Sequence, residues 1–238
     1  MTTTVAIVGG GVAGVWVGYK LAQAGISTVL ITYLDTDRGG VQGSTARAVG
    51  SINTAPVEQA DFSQYFEQLG RGVNHICVAN ALTRYLKEEL ELFSRLFEVK
   101  KIRLGLALAS GSGQTFLQTM YRHFEALGGQ ILNAWVTRLV IDEQHCYGLQ
   151  YQKNNGIGKI LCQFMVLAAG GYASLYKHSL KTVSLGTLLG RTLACGGMAI
   201  LDQLNALHQP HAPHVADKRI LFLQLFQAGA EIAAHLGA

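Results

Sequence analysis

The sequence predicts an α/β fold built on a parallel sheet, and three observations predict it. An apolar run without alternation, VAIV at residues 5–8, stands directly before three consecutive glycines, as a strand buried on both faces does before a tight turn. Helical spacing then runs over residues 13–24, stops at Gly25, and gives way to a second apolar run at 28–31. Composition agrees: of 238 residues, 49% are hydrophobic and 14% charged, so apolar burial can offset chain entropy and a sizeable core can form. A right-handed connection sets the two strands of this β-α-β unit side by side.

The remaining elements follow in order. Residues 35–55, DTDRGGVQGSTARAVGSINTA, are rich in glycine, serine and threonine and read as a long functional loop. Helices are predicted at 61–69 and 75–97; in the second, Leu82, Leu86, Leu90, Phe93 and Phe97 form one apolar stripe, with Lys87, Glu88 and Glu91 facing water. After RLGLALASGSGQ, Ser112 is placed to cap a helix over 115–127 that ends at Gly128-Gly129. Together these give a helical insertion around residues 56–128. From Ile131 the pattern turns to strands: ILNAWVTRLVID, YGLQYQ and GKILCQFMVLAAG are separated by turn signals at 142–145 and 154–156. This predicts an antiparallel meander around 130–165 whose last strand returns to the parallel sheet. A further helix is expected at 184–195, before an irregular stretch at 201–218.

Several function classes are disfavoured. The net charge is +4, but lysines and arginines are scattered without a dense run, so no nucleic-acid partner is expected. The runs FMVLAAGG and ILFLQLF are far too short to span a bilayer. Cys77, Cys146, Cys162 and Cys195 show no paired spacing, which fits reduced thiols in a soluble, cytoplasmic protein. His208, His211 and His214 are spaced through two prolines with no adjoining acidic or cysteine partner, so no metal site is expected. Ser110, Ser112 and Thr115 lack a nucleophile elbow and are read as loop polarity and helix capping.

Gly9, Gly10, Gly11, Val12, Ala13 and Gly14 match G-x-G-x-x-G in the context that gives the pattern meaning, after a strand and opening a helix. Gly9 permits the tight turn, Gly11 lets backbone approach a pyrophosphate, and Gly14 allows helix to pack on strand. The helix N-terminus offers free N–H groups and positive dipole. This predicts a Rossmann-like dinucleotide site. In many such folds an acid at the end of the second strand bonds the adenosine ribose. Here that strand ends in Thr32-Tyr33, with Asp35 beyond it.

Five segments in order resemble the family of succinate dehydrogenase and fumarate reductase flavoproteins and L-aspartate oxidase. They are GGGVAG, GSTARAVGSINTA, DFSQYFEQLGRGVNHICVANALTRYLKEELELFSRLF, VLAAGGYASLY and, as a distorted match, NALHQPHAP. The resemblance covers about the first half of a family member. It implies a single FAD-binding domain over 1–238, with the capping and C-terminal helical domains absent. It further implies FAD contacts from Gly9 to Gly14, Thr32, Tyr33, Ser44, Thr45, Gly50, Ser51, Val136, Ala169 and Gly170, and a substrate-contacting, catalytic role for His208.

Departures refine this expectation. Ser44 stands where the covalent-flavin branch has its attaching histidine, which implies noncovalent FAD. Val49-Gly50-Ser51 replaces Gln-Gly-Gly, and Ser184-Leu185-Gly186 replaces Gly-Asp-Gly, whose carboxylate usually contacts the cofactor. The family's Glu-Gly-Gly-His segment has no counterpart before Gly105. The implied activity is that of an FAD-dependent oxidoreductase resembling L-aspartate oxidase, oxidising an amino acid or small dicarboxylate by hydride transfer to flavin N5. Two alternatives accompany it: a truncated flavin-fold protein that binds FAD weakly or not at all, and a split enzyme whose capping half is a second chain docking near residues 220–226.

Overall fold

The computed structural model describes residues 1–34, 40, 43–53, 76–103, 105–141 and 146–170. Strand β1 (Thr2–Val8) runs through the middle of a six-stranded sheet. Val5, Ala6 and Ile7 are completely buried, as the unbroken apolar run requires of a strand covered on both faces. It begins earlier than that run because Thr2 and Thr3 pair with Leu161 and Cys162. Helix α1 (Val12–Gln23) crosses back, and its end is closed by Gly25 N–H on the Ala22 carbonyl and Ile26 N–H on that of Leu21. Strand β2 (Thr28–Thr32) then pairs parallel with β1.

A short helix α2 (Gly43–Ala46) and strand β3 (Ser51–Asn53) lie within the loop expected over 35–55. Helix α3 (Ile76–Leu96) follows, then strands β4 (Val99–Ile102) and β5 (Gly105–Leu108). These three strands form a separate antiparallel sheet in the order β3-β5-β4. The insertion around 56–128 is therefore not purely helical. Its strands β4 and β5 are only four residues long, too short for alternation to show in the sequence.

Helix α4 (Gly113–Ala126) is capped as expected. Gln114 N–H donates to the Ser112 hydroxyl at 3.3 Å, while Ser112 N–H donates to the Thr115 hydroxyl at 3.3 Å. Next come β6 (Gln130–Asn133), β7 (Trp135–Ile141), β8 (Cys146–Lys153) and β9 (Gly156–Leu167). Here the structure corrects a boundary: the single run expected from Ile131 is two strands, Gln130–Asn133 and Trp135–Ile141, belonging to different parts of the sheet. β6 pairs parallel with β2, whereas β7 pairs antiparallel with β8. Ala134 N–H on the Thr32 carbonyl at 3.1 Å is the last bond of the β2–β6 ladder, and the next residue, Trp135, already pairs with β8. The meander thus starts at Trp135.

The full order is β6-β2-β1-β9-β8-β7. β9 serves both regimes: residues 156–161 pair antiparallel with β8, while Leu161, Cys162 and residues 164–167 pair parallel with β1. Lys153 opposes Gly156, leaving the two-residue turn Asn154-Asn155, where Asn154 takes the left-handed backbone (φ 53°) such turns need.

Two cores result. On one side α1 and α4 bury Trp16, Phe116, Leu117, Met120 and Phe124 against β1 and β2. On the other, Leu139, Leu149 and Ile160 of the meander cover Ala6, Val8, Val29 and Ile31. α3 joins the first core through Phe93, whose ring centroid lies 6.3 Å from that of Trp16. Trp16 Nε1 donates to Glu89 at 2.6 Å, and Lys20 pairs with the same carboxylate at 3.1 Å. Cys146 and Cys162 are free thiols; burial, reinforced by Cys146 nearby, pushes the Cys162 thiol up to about 11, so it stays protonated near neutrality. Among the described residues no helix is long and apolar enough to cross a membrane. The helices expected at 61–69 and 184–195, and the segment 201–218, lie outside the described residues.

Phe124 is fully buried between Gly18 of α1 and Gly129, positions where an added Cβ would press on its ring. Neither glycine can supply atoms to refill the space. Phe124→Ala is expected to cost about 3–5 kcal/mol, measured as a lowered denaturant midpoint.

Candidate functional site

The parallel strands deliver their C-terminal ends to one edge of the sheet, where ligands of open α/β sheets bind. Val8 leads into the glycine loop, β2 ends at Thr32, β6 at Asn133 and β9 at Leu167. The order reverses direction at β1, with β2 and β6 to one side and β9 to the other. The loop from Gly9 to Gly14 sits at that switch point.

Its glycines have different causes. Gly9 has φ 109°, and a Cβ there would collide with the Ala168 carbonyl; one on Gly14 would collide with the Gly9 carbonyl. A Cβ on Gly10 would strike the Tyr121 hydroxyl and lie 2.7 Å from Thr32 Oγ1. These three are fixed by the protein's own packing. Gly11 is not. Its backbone (φ −71°, ψ −177°) suits any residue, and the nearest atom to an added Cβ is Thr45 Oγ1 at 3.5 Å, an ordinary contact. Packing among the described residues does not demand glycine at position 11, whereas close approach of a ligand to the backbone does.

Gly11 is the N-cap of α1 and provides no side-chain cap. Thr45 substitutes from 33 residues away: its hydroxyl accepts from Val12 N–H at 3.1 Å. Ala13 and Gly14 N–H have no hydrogen-bond partner among the described residues, so the helix end keeps donors and a positive dipole for an anion. The α2 turn that carries Thr45 is clamped to the start of α4. Ala48 N–H donates to the Thr45 carbonyl at 3.0 Å and Gly113 N–H to the Ala48 carbonyl at 2.8 Å. Ser44 is exposed on that turn. Gly50 and Ser51 lead from it into the small sheet, where the Gly50 carbonyl accepts from Leu108 N–H at 2.9 Å and Ser51 pairs with Ala107.

Thr32 turns inward. Tyr121 of α4 donates its hydroxyl to the Gly10 carbonyl at 2.7 Å and is also hydrogen-bonded to Thr32. Burial pushes the Tyr121 phenol up to about 12, with the Thr32 bond opposing the shift. Tyr33 turns the other way and stacks on Trp135, centroids 4.5 Å apart and planes 25° apart. Between them the Asn133 side chain pairs with the Leu34 backbone, Leu34 N–H donating to Oδ1 at 2.8 Å and Nδ2 donating to the Leu34 carbonyl at 3.2 Å. Val136 is half-buried beside Trp135, opposite Tyr151. Ala168 N–H donates to the Val8 carbonyl at 2.8 Å, bringing Ala169 beside Gly9, and Gly170 follows with a left-handed backbone (φ 81°). Asp35, Leu185 and His208 lie outside the described residues.

Tyr121 and Trp135 were not singled out by the sequence. Tyr121 sits in the apolar stripe of α4 with Leu117 and Phe124, and a buried phenol generally has a partner. That was the available signal, although the sequence does not say which carbonyl it meets.

The FAD binding domain family matches residues 2–198. The chain belongs to this family. Its fold is found in the FrdA chain of E. coli quinol fumarate reductase, at 20% identity and TM-score 0.66, over 82% of this chain and 37% of that one. A flavocytochrome c3 fumarate reductase matches at 21% identity and TM-score 0.68 over 82% and 40%, and the Sdh1 complex of Mycobacterium smegmatis at 16% and 0.68 over 82% and 39%. The neighbours are flavoproteins of the group the sequence resembles, matched over the N-terminal part. The chain spans about two-fifths of their length. No curated protein matches the sequence. FAD is the cofactor of the family, and the residues present fit it: a Gly11 unfilled and helix N–H groups unpartnered among the described residues are what a pyrophosphate uses.

Two outcomes follow from this geometry. Gly11→Ala is expected to leave the denaturant midpoint nearly unchanged and to weaken FAD binding roughly tenfold or more, whereas Gly14→Ala disturbs folding itself. Tyr121 contributes stability that is intact below the unfolded-state value near 10 and is lost as pH rises toward the folded value of about 12. The stability gap between wild type and Tyr121→Phe should therefore shrink over that window in denaturant titrations run at increasing pH.

Proposed function

We propose that this chain holds the cofactor of an FAD-dependent oxidoreductase that oxidises a small amino acid or dicarboxylate in the manner of L-aspartate oxidase. The observation that carries the reading is the open Gly11 position at the α1 N-terminus, in a chain of the FAD-binding family. Bound there, FAD supplies a two-electron hydride acceptor. The chain's own residues bind and orient it. Ala13 and Gly14 N–H face the pyrophosphate, Thr45 fixes the helix end, and Ala169 and Gly170 close the loop from the β9 side. Ser44, exposed on the α2 turn, has no imidazole with which to attach a flavin, which supports noncovalent binding. Val49, 82% exposed, offers an apolar surface in place of the family's glutamine. The amino-acid or dicarboxylate substrate is supported by the five sequence segments and by neighbours named as fumarate reductases.

A second reading, in which a further chain supplies the substrate pocket, is supported by the neighbour described as the Sdh1 complex of Mycobacterium smegmatis. In that case His208, or its replacement on the partner, would meet the substrate.

The visible spectrum of the purified protein tests both. A yellow protein bleached under anaerobic conditions by L-aspartate or succinate is the expected result. A yellow protein that neither compound bleaches favours the second reading, and a colourless one that takes up no added FAD contradicts both.

A further inference from the structure

We propose that the stacked Tyr33–Trp135 pair is the purine platform of the cofactor site, holding the adenine end of FAD by ring stacking where a strand-end carboxylate would otherwise bond the ribose. The identity of the occupant rests on the FAD reading above. The platform itself rests on four observations.

The first is position. Thr32 lies against Gly10, so Tyr33 is one residue from the pyrophosphate loop, at the same edge of the sheet. A dinucleotide anchored by its pyrophosphate at Gly11 extends its nucleoside half along that edge, past the end of β2. The second is exposure. Tyr33 and Trp135 are 40% and 46% exposed, although their rings already stack at 4.5 Å. The stack therefore presents a ring surface to solvent that is ordered before a ligand arrives, which limits the entropy lost on binding. The third is rigidity. The reciprocal Asn133–Leu34 bonds hold the chain after Tyr33, and Ala134 N–H on the Thr32 carbonyl at 3.1 Å holds the chain before Trp135. The chain on either side of the stack is thus held by hydrogen bonds that owe nothing to the rings themselves. The fourth is chemistry. Thr32 and Tyr33 have no charge to offer a ribose diol, and the Thr32 hydroxyl is engaged with Tyr121. A base can instead stack on an aromatic face.

The two tryptophans differ enough to read the site optically. Trp16 is buried and donates to Glu89, whereas Trp135 is half in solvent. Acrylamide reports Trp135 selectively. Titrating ADP into the full chain should quench the Trp135 emission and shield it from acrylamide, and FMN, which has no adenine, should do neither. Trp135→Ala should weaken ADP binding roughly ten- to hundredfold, with Tyr33→Ala weakening it less and Trp135→Phe remaining close to wild type. ADP that fails to bind, binds Trp135→Ala as tightly as wild type, or binds without changing Trp135 overturns the proposal, as does equal protection by FMN. Failure of the substrate reading shows differently: ADP binding stays intact while L-aspartate and succinate leave the flavin oxidised.

Discussion

The hydrogen bond from Tyr121 to the Gly10 carbonyl is the contact on which the rest of the site depends. It is short, buried and made between residues 111 positions apart, and it joins three elements at one point. The phenol on α4 reaches across to the loop between β1 and α1, and Thr32 at the end of β2 braces it. A buried carbonyl left without this donor would carry the full cost of its lost hydration. The bond is possible only because position 10 has no side chain, since a Cβ would occupy the place of the hydroxyl. The loop is consequently held from behind by α4 and from one side by Thr45, and no other described residue packs against Gly11. Such a loop binds an anion without first having to organise itself.

The same economy shapes the sheet. β9 is twelve residues long because it does two jobs: its first half closes the meander and its second half completes the parallel sheet beside β1. The meander buries the face of β1 and β2 opposite α1, so the central strands are covered on both sides. Their unbroken apolar sequences follow from that burial. Covering the sheet in this way also carries Trp135 to Tyr33, so the packing that stabilises the fold assembles one side of the candidate site.

Much of this was legible in the sequence. The β1-α1-β2 unit, the Ser112 cap, the Asn154-Asn155 turn and the long amphipathic α3 each rest on contacts within one element or one turn. Local chemistry decides them, so local patterns reveal them. The break between β6 and β7 was not legible. The run from Ile131 to Ile141 carries no glycine or proline, only Asn133-Ala134; the break follows from partners far apart in the chain, β2 for one strand and β8 for the other. The small sheet was missed because VKKI and GLAL carry no period of their own. In the site, the pattern itself gives Gly9, Gly11 and Gly14 separate causes. That of Gly10 was hidden, because the Tyr121 hydroxyl that its Cβ would strike comes from 111 positions away.

The central claim is that the loop between β1 and α1 is a preformed pyrophosphate site. Amide chemical shifts of the isotopically labelled protein, followed by NMR as FAD is added, test it most directly. The account predicts that the largest changes fall on Gly11, Ala13 and Gly14, while Gly10, already committed to Tyr121, moves little. Binding that leaves those three amides unchanged and shifts residues elsewhere would contradict it.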